Sequence, residues 1–373
     1  MERFLVLGGG LEQLPLIRRL ESLGFSITVL DGDFRCPAAS LGHQFFHCDI
    51  SNPKLVSKCT SRLEFDAIVT IASQAALSSL ARLSRERKLP AMNVQDMAVA
   101  SDKALTKELL VAQGLDCGDF YVVRSGHLPE IPSESWPLVV KPADSSGNRG
   151  VQHVSHDDDL LSALEEARSF SATDTVLVEP WHPGPQFDVQ LIAGSGRLEA
   201  TSVIEENYLP QSGVPTFYTC PPVASVDERG LRDFAVKVAR ALRFNHGAAH
   251  CEVRIGADGK FKLIEFDPRM GGESWWEIVE LATGYDYLFN YIAVSRGLPF
   301  LFPPKRYQRQ VSLEYAYNHA QLPSLAPSDL VHRERSFVGG EFPPSRVTDA
   351  TSLRLSSRVG RGGSGWGTGV ASE

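Results

Sequence analysis

The N-terminal part of the chain alternates apolar runs of strand length with leucines at helical spacing. Residues 4–7 end in a run of three glycines, after which leucines recur at i, i+4 and i+7 up to Gly24. Further apolar runs cover 27–30 and 67–70, and the second is followed by an alanine- and leucine-rich helical segment. Strands that alternate with helices favour a parallel sheet with helices on its faces. Residues 1–95 are therefore predicted to form an α/β unit with a Rossmann-like parallel sheet.

The pattern changes after a predicted helix that begins near Ser101-Asp102 and ends at Gly114. Short apolar runs, linked by segments with Gly and Pro, indicate an antiparallel α+β region. Residues 96–302 are predicted to form this second domain, with a mobile lid at about 136–180. The predicted strands are 139–140, 151–154, 176–178, 189–192, 249–254 and 261–266, and the predicted helices are 227–243, 274–282 and 286–296.

The pattern weakens after about residue 303. Residues 303–373 are predicted to be a short C-terminal segment, and the Gly- and Ser-rich stretch 357–373 is expected to be disordered.

Composition narrows the class of protein. The 373 residues include 43% hydrophobic and 22% charged residues, which is ordinary for a globular chain, and the net charge is −8. An acidic chain is a poor match for nucleic acid or an anionic membrane, and no apolar run is long enough to span a bilayer. The N-terminus lacks a signal-peptide layout, and the scattered cysteines indicate reduced thiols. We therefore expect a cytoplasmic protein that acts on small molecules. The composition is compatible with a homodimer as well as with a monomer.

The most informative segment is an acidic hairpin at residues 250–269. Asp258-Gly259 is a strong signal for a two-residue type I′ turn. Centring the hairpin there places Glu252 opposite Glu265 and His250 opposite Asp267, with Glu265 and Asp267 on one face. Directly opposed carboxylates repel, so the pair calls for a cation, and oxygen ligands of this kind suit Mg²⁺. The alternatives are a solvent-exposed pair or a register that slips by one residue.

Arg269 lies just beyond this hairpin and adds a cation where a phosphate or a carboxylate could bind.

Two further segments carry candidate ligand-binding groups. Lys141 ends a predicted strand before a turn rich in Ser and Gly at 145–150, whose backbone could approach phosphate oxygens. This turn lacks the ending of a Walker A loop, and an ordinary hairpin is the alternative. Glu179 ends another strand before a proline-stiffened link, where a carboxylate could hold an adenine amino group or a ribose hydroxyl. Lys103, in the first turn of its helix, is weaker evidence, because such a lysine is usually solvated.

These segments occur in an order that resembles the ATP-grasp superfamily, which includes biotin carboxylase, carbamoyl-phosphate synthetase and the amino-acid ligases. The order is a lysine, a second lysine with a Ser/Gly loop, a glutamate before a Gly-containing link, and an acidic hairpin that ends in arginine. The resemblance covers roughly residues 1–300. It implies an ATP-grasp fold with antiparallel sheets and a mobile lid after the N-terminal unit.

The resemblance also implies roles for single residues. Asp267 stands where the family usually has Asn, and Gln186 where it often has Glu. The implied ATP contacts are Lys103 and Lys141, the lid residues Ser145, Ser146, Gly147 and Gly150, the adenine-binding Glu179 and Trp181, and the ribose-binding Gln186. The implied metal ligands are Glu252, Glu265 and Asp267. The implied catalytic residues are Lys141 and Arg269.

The activity implied by the resemblance is that of a carboxylate–amine ligase. Such an enzyme uses ATP and Mg²⁺, for which Mn²⁺ could substitute, to convert a small acid, such as an amino acid, into an acyl phosphate that an amine attacks. A carboxylase that makes carboxyphosphate from bicarbonate is the alternative within the superfamily. The short C-terminal segment favours the ligase, because the closest relatives of biotin carboxylase continue with a third subdomain.

Two readings outside the superfamily were weighed. Gly8-Gly9-Gly10 followed by Asp31 partly matches a dinucleotide-binding fingerprint, but the third spaced glycine is missing. An NAD-dependent oxidoreductase is therefore disfavoured. A non-enzymatic nucleotide sensor would be expected to lack part of the acidic hairpin or a lysine, and both are present. Trp275, Trp276, His182 and His250 are expected to be structural more often than functional.

Overall fold

The computed structural model describes residues 1–124, 130–208, 215–272, 274–317, 330–336 and 350–358. Three sheets organise this part of the chain: a parallel sheet, a small antiparallel sheet and a long antiparallel sheet. The mixed α/β and antiparallel architecture predicted from the sequence is confirmed.

The N-terminal sheet has four parallel strands in the order β3-β2-β1-β4. Its predicted strands and helices are present. β3, α2 and α4 were not predicted, and β3 is short, half-exposed and without a long apolar run. The elements are β1 (Arg3–Leu7), α1 (Leu14–Ser22), β2 (Ser26–Asp31), β3 (Gln44–His47), α2 (Pro53–Cys59), β4 (Ala67–Val69), α3 (Leu77–Arg87) and α4 (Val94–Ala100).

The small antiparallel sheet has the strand order β5-β8-β6-β7 and is covered by one helix. Its core is formed by the buried aliphatic residues of β6 and β8 and the alanines and leucines of the helix. The elements are β5 (Tyr121–Arg124), β6 (Leu138–Pro142), β7 (Gln152–Val154), α6 (Leu160–Ser169) and β8 (Thr175–Pro180).

The long sheet has eight strands in the order β13-β12-β9-β10-β11-β14-β16-β15. The acidic hairpin, β12 and β13, lies at one edge, and every β9 residue is buried. The elements of this part are α5 (Lys103–Ala112), β9 (Gln186–Gly194), β10 (Arg197–Tyr208), β11 (Pro215–Cys220), α7 (Glu228–Ala241), β12 (Gly247–Ile255), β13 (Phe261–Asp267), α8 (Trp275–Thr283), α9 (Tyr287–Ser295), β14 (Gln310–Tyr317), β15 (Leu330–Ser336) and β16 (Ala350–Arg358).

The C-terminal segment contains more structure than its weak pattern suggested. β14, β16 and β15 extend the long sheet beyond β11. The expected disorder of 357–373 falls largely on residues 359–373, which lie outside the described residues. The proposed domain boundaries, 1–95, 96–302 and 303–373, stay a prediction.

The N-terminal sheet and the long sheet meet next to the acidic hairpin. Tyr291 Oη donates a hydrogen bond of 2.8 Å to Thr70 O, and Ala72 N donates to Met270 O at 3.0 Å. Ile71 forms an isolated parallel bridge with Met270. The end of β4 is thereby held against the segment that follows β13.

Among the helices that the structure describes, none is both long and apolar enough to cross a membrane.

Candidate active site

The β12–β13 hairpin pairs its acidic residues in the predicted register. His250 pairs with Asp267, and Glu252 pairs with Glu265. The side chains share one face, since His250 Nε2 lies 3.3 Å from Asp267 Oδ2 and His250 Nδ1 lies 3.9 Å from Glu252 Oε1. The side chains of Glu252 and Glu265 are only 16% and 17% exposed. At these two pairs the register has therefore not slipped, and the two carboxylates are not solvent-exposed.

The turn of the hairpin differs from the predicted two-residue type. The loop comprises residues 257–259, Gly256 O accepts a hydrogen bond from Gly259 N at 2.9 Å, and Gly259 has φ 72°. The register then shifts by one residue between Glu252 and Val253. The longer loop and this bulge offset each other, so the acidic pairs keep their predicted partners.

A third strand adds a carboxylate that the sequence analysis missed. Asp188 of β9 pairs with Glu252 of β12, is fully buried, and accepts a hydrogen bond of 2.7 Å from His250 Nδ1. Burial lowers the pKa of His250, but the charges of Asp188 and Asp267 raise it well above its ordinary value. Both strands were predicted from the sequence, but their pairing was not, so Asp188 could not be placed near the hairpin.

The pKa values of the carboxylates on this face are shifted in opposite directions. Burial raises the pKa of Glu252 well above its ordinary value, and the neighbouring Glu206 and Glu265 raise it further. Burial also raises the pKa of Asp267, but the charges of Arg269 and His250 hold that pKa well below its ordinary value. Arg269 Nη2 donates to Asp267 Oδ2 at 2.5 Å. Negative charge is therefore least compensated around Glu252, which is the electrostatic setting that a divalent cation relieves.

Lys103 connects the hairpin to the lid loop. Asp102 caps α5 by accepting from Ala104 N and Leu105 N at 2.9 Å, which fixes the first turn of the helix. Lys103 Nζ then lies 2.7 Å from Glu265 Oε2 and donates to Ser145 O at 2.8 Å. Burial lowers the pKa of Lys103, but Glu265 and the other hairpin carboxylates raise it above its ordinary value. Lys103 is therefore an engaged, buried cation and not a solvated one.

Lys141 and Glu179 form a buried ion pair on neighbouring strands of the small sheet. Lys141 Nζ also donates to Ile264 O at 3.1 Å, at the bulge of the hairpin. Burial lowers the pKa of Lys141 although Glu179 opposes the shift.

Lys107, which the sequence analysis missed, contacts the same carboxylate. Its Nζ lies 2.6 Å from Glu179 Oε1, and its side chain is 2% exposed. The helical spacing of four from Lys103 was the available signal, because both lysines then lie on one face of α5. The carboxylate of Glu179 is thus held by two lysines.

The link after β8 is held by its own contacts. Trp181 N donates to Pro137 O at 2.7 Å. The guanidinium of Arg254 lies 4.2 Å from the ring centroid of Trp181, and Arg254 Nη1 lies 3.4 Å from His182 O. A cation–π contact of this kind fixes the orientation of the indole.

Gln186 connects this link to the hairpin. Its Oε1 accepts from Arg254 Nη2 at 2.5 Å, and its Nε2 lies 3.0 Å from Tyr208 Oη, 3.2 Å from Glu206 and 3.3 Å from Glu252. A neutral amide can donate to both carboxylates, whereas a glutamate at this position would add a third negative charge. The geometry explains why Gln and not Glu suits this position.

The predicted lid loop is compact. Gly147 and Gly150 adopt φ 67° and 73°, and a Cβ on Gly150 would lie 2.7 Å from Phe170 Cδ2. Ser145 and Ser146 supply backbone carbonyls to Lys103 and to Arg149.

One cavity of about 1350 Å³ brings most of the predicted site together. It lies between the small sheet, the edge of β13 and the lid loop. Asp267 lies behind the lining, 3% exposed. The other predicted residues all line the cavity: Lys103, Lys141, Ser145, Ser146, Gly147, Gly150, Glu179, Trp181, Gln186, Glu252, Glu265 and Arg269.

The cavity wall also includes residues that follow the hairpin. Trp275 lines the cavity although only 5% exposed, and the indole meets the rings of Tyr218 and His250 edge-on, with centroids 5.6 and 5.1 Å apart. A Cβ on Gly271 would lie 2.2 Å from Trp275 Cε3, so the glycine makes room for the indole. Trp275 is thus both a core residue and a wall of the site.

Known proteins resemble this chain in sequence and in fold. The family model for the ATP-grasp domain matches residues 134–276. A D-alanine–D-alanine ligase of Alcanivorax borkumensis is 28% identical over 201 residues, which cover 52% of this chain and 63% of the relative. The vancomycin/teicoplanin A-type resistance protein VanA of Enterococcus faecium is 26% identical over 196 residues, covering 49% and 56%. The chain thus spans less than two thirds of the length of either relative.

Solved structures share the fold over nearly the whole chain. An L-amino acid ligase from Bacillus licheniformis has a TM-score of 0.79 at 18% identity and covers 96% of this chain and 94% of its own. A biotin carboxylase from Campylobacter jejuni has a TM-score of 0.75 at 17% identity, covering 96% and 88%. The family model, the related sequences and these folds agree with the geometry of the lysines, the lid loop and the acidic hairpin. Residues 134–276 therefore match an ATP-grasp domain, and the fold is similar to that of these solved structures over 96% of the chain.

Proposed function

We propose that this protein is an ATP- and Mg²⁺-dependent ligase that joins a small carboxylic acid, such as an amino acid, to an amine. The observation that carries the proposal is the convergence of Lys103 and Lys141 with Glu252 and Glu265 on one cavity. Phosphoryl transfer needs positioning and charge neutralisation more than covalent help from the protein. A cavity lined by fixed cations and by carboxylates that can hold a metal ion supplies both.

The donor set fits a hard divalent cation. Glu252 and Glu265 offer carboxylate oxygens towards the cavity, with Asp267 behind them, and the raised pKa of Glu252 marks uncompensated charge. Mg²⁺, or Mn²⁺ in its place, would be held by Glu252, Glu265 and Asp267, and when bound would offset the charge of the phosphates.

We assign the phosphates of ATP to the two lysines and the lid loop. Lys103 Nζ donates to Ser145 O and Lys141 Nζ donates to Ile264 O, and both lysines line the same cavity as Ser145, Ser146, Gly147 and Gly150. The adenine and ribose are assigned to the link that follows Glu179, at Trp181, and to Gln186. Because Trp181 N already bonds Pro137 O, the base would be read by other backbone groups of this link.

In the proposed reaction the γ-phosphoryl group passes to a carboxylate oxygen of the acid, and ADP leaves. The amine then attacks the acyl carbon, and inorganic phosphate leaves as the amide forms. Arg269 lines the cavity two residues after the end of β13, where it would steady the acyl phosphate. A closed lid would keep out water that hydrolyses this intermediate.

The D-alanine–D-alanine ligase relative favours the ligase over a carboxylase, which stays the second candidate because carboxylases share the fold. A dinucleotide-binding role is disfavoured further by Asp31, whose carboxylate accepts from Gly9 N at 2.6 Å and Asp33 N at 2.7 Å. The carboxylate of Asp31 is therefore already hydrogen-bonded by backbone N–H groups of the loops that follow β1 and β2.

Phosphate release from ATP, screened over amino acids singly and in pairs, tests the proposal. We expect release that depends on an amino acid and forms a product with an amide bond. Lys141→Ala, purified in parallel, reports contaminating ATPase activity. Release that depends on bicarbonate instead would favour the carboxylase, and release with neither would contradict both. A homodimer stays a prediction that light scattering would test.

A further inference from the structure

Glu179 is the shared anion of two buried lysines. Lys107 Nζ lies 2.6 Å from its Oε1, while Lys141 contacts its Oε2. Burial raises the pKa of Glu179, but the two lysine charges hold that pKa below its ordinary value. Glu179 is thus a charged group in a site where a lone charge would be costly.

The two lysines differ in the protein partners that they have. Lys107 Nζ has three acceptors: Glu179, Leu263 O at 2.6 Å and Cys117 O at 3.2 Å. An ammonium group has three donors, so Lys107 is saturated by the protein. Among the described residues Lys141 Nζ contacts Glu179 and Ile264 O, which leaves it one N–H for a ligand.

The helix α5, which carries Lys107, supports this division of roles. Lys103 and Lys107 are one turn apart on α5, and like charges at this spacing destabilise a helix unless each has an anion. Lys103 has Glu265, and Lys107 has Glu179. Lys141, from β6, is therefore the extra cation at Glu179.

We propose that Lys107 is the permanent partner of Glu179, and that Lys141 exchanges Glu179 for phosphate oxygens when Mg²⁺–ATP binds. Glu179 would then serve as the counterion that keeps Lys141 in place before ATP arrives, and not as a ligand of the adenine. The inference rests on the proposed function. Lys107 is a positioning residue, since it acts on the nucleotide through Glu179 and Lys141.

The charge balance follows from this assignment. Before ATP binds, one carboxylate is shared by two ammonium groups. After Lys141 moves to a phosphate, the Lys107–Glu179 pair remains neutral. Without Lys107, the same movement would leave Glu179 buried and unpaired, so Lys141 would be held back from the nucleotide.

The test compares Lys107→Met, Glu179→Gln and the double variant by calorimetry with Mg²⁺–ADP and a non-hydrolysable Mg²⁺–ATP analogue. We expect Lys107→Met to weaken binding about a hundredfold, because binding would strand a buried carboxylate. Adding Glu179→Gln should restore most of this loss, because no charge is then stranded. A purely structural role of Lys107 predicts no such rescue. Lys260→Met, on the hairpin loop where the lysine is 63% exposed, is the matched control and should bind like wild type.

Three outcomes would contradict the inference. If wild type binds the nucleotide and Lys107→Met binds it equally well, the inference alone is overturned. If the double variant binds no better than Lys107→Met, the exchange of partners is wrong. If wild type binds no nucleotide, both the proposed function and the inference are wrong.

If Lys107→Met does not fold, Glu179→Gln tests the inference instead. The counterion role predicts that this variant still prefers adenine over guanine nucleotides, and a direct contact of Glu179 with adenine predicts that the preference is lost.

Discussion

Glu252 and Glu265 face each other across the β12–β13 hairpin, and each carboxylate has a separate polar partner. Lys103 Nζ lies 2.7 Å from Glu265 Oε2, whereas Glu252 has the neutral amide of Gln186 at 3.3 Å. Glu265 is therefore paired with a lysine at close range, whereas Glu252 has a neutral amide there and His250 Nδ1 at 3.9 Å. Because of this asymmetry, a bound cation would neutralise more negative charge at Glu252 than at Glu265.

Lys141→Ala should lose most ATP-dependent turnover and keep its fold. The variant removes a phosphate ligand, and a charge-assisted contact of this kind contributes about 3 kcal/mol, or roughly a hundredfold in kcat/KM for ATP. Glu179 keeps Lys107 as its partner, so no buried carboxylate is left alone. Steady-state kinetics and thermal melting check the two parts separately. Turnover equal to that of wild type would show that Lys141 does not bind the phosphates of ATP.

Gly271→Ala should destabilise the protein through Trp275. The new Cβ would lie 2.2 Å from Trp275 Cε3, and overpacking of this kind costs about 1–3 kcal/mol. Replacing the indole by a smaller ring, in Gly271→Ala/Trp275→Phe, should recover part of this loss. Urea unfolding measures the free energy of unfolding of Gly271→Ala, Trp275→Phe and the double variant. If the losses of the two single variants add in the double variant, the two residues are not in contact.

The stability of the protein should fall in mild acid because of His246. Burial lowers the pKa of His246 from its ordinary 6.5 to about 4. Between these pH values the unfolded chain binds a proton that the folded chain does not, so the free energy of unfolding falls as pH falls from 6.5 to 4. The full effect is about 3 kcal/mol.

Urea midpoints between pH 7 and pH 5 test this assignment. His246→Gln should reduce the slope of stability against pH, and His156→Gln, an exposed control, should not. An unchanged slope in His246→Gln would mean that other groups cause the acid sensitivity.

The sequence predicted the parts of the site that lie close together along the chain. The register of Glu252 and Glu265 depends on one hairpin, so local turn chemistry was enough to place them, even though the turn type was wrong. Asp188 and Lys107 were missed because their partners come from other elements, β12 for Asp188 and β8 for Lys107. Such contacts depend on which strands become neighbours, and a single sequence does not show this.

The long sheet was the largest element that the sequence concealed. β10 carries three glutamates and β11 carries two threonines, so their apolar pattern is weak. β14, β15 and β16 follow the segment where the periodicity fades, and their order in the sheet is not the order in the chain. The predicted helices depended on local spacing and caps, and they were confirmed, as with α5 and its Asp102 cap.

The central claim is that the acidic hairpin holds the metal that accompanies ATP, and Glu265→Gln tests it most directly. Without ligand the variant should melt within about 3 °C of wild type, because relief of the repulsion at Glu252 offsets the loss of the Lys103 partner. With Mg²⁺–ATP, its stabilisation should be less than about half that of wild type, because a charged ligand is gone, and turnover should be lost. Glu64→Gln, at a carboxylate that is 80% exposed, is the control for a change of charge alone. The measurement is the Mg²⁺–ATP melting shift of Glu265→Gln: a reduced shift is predicted, and a wild-type shift with wild-type turnover would contradict the account.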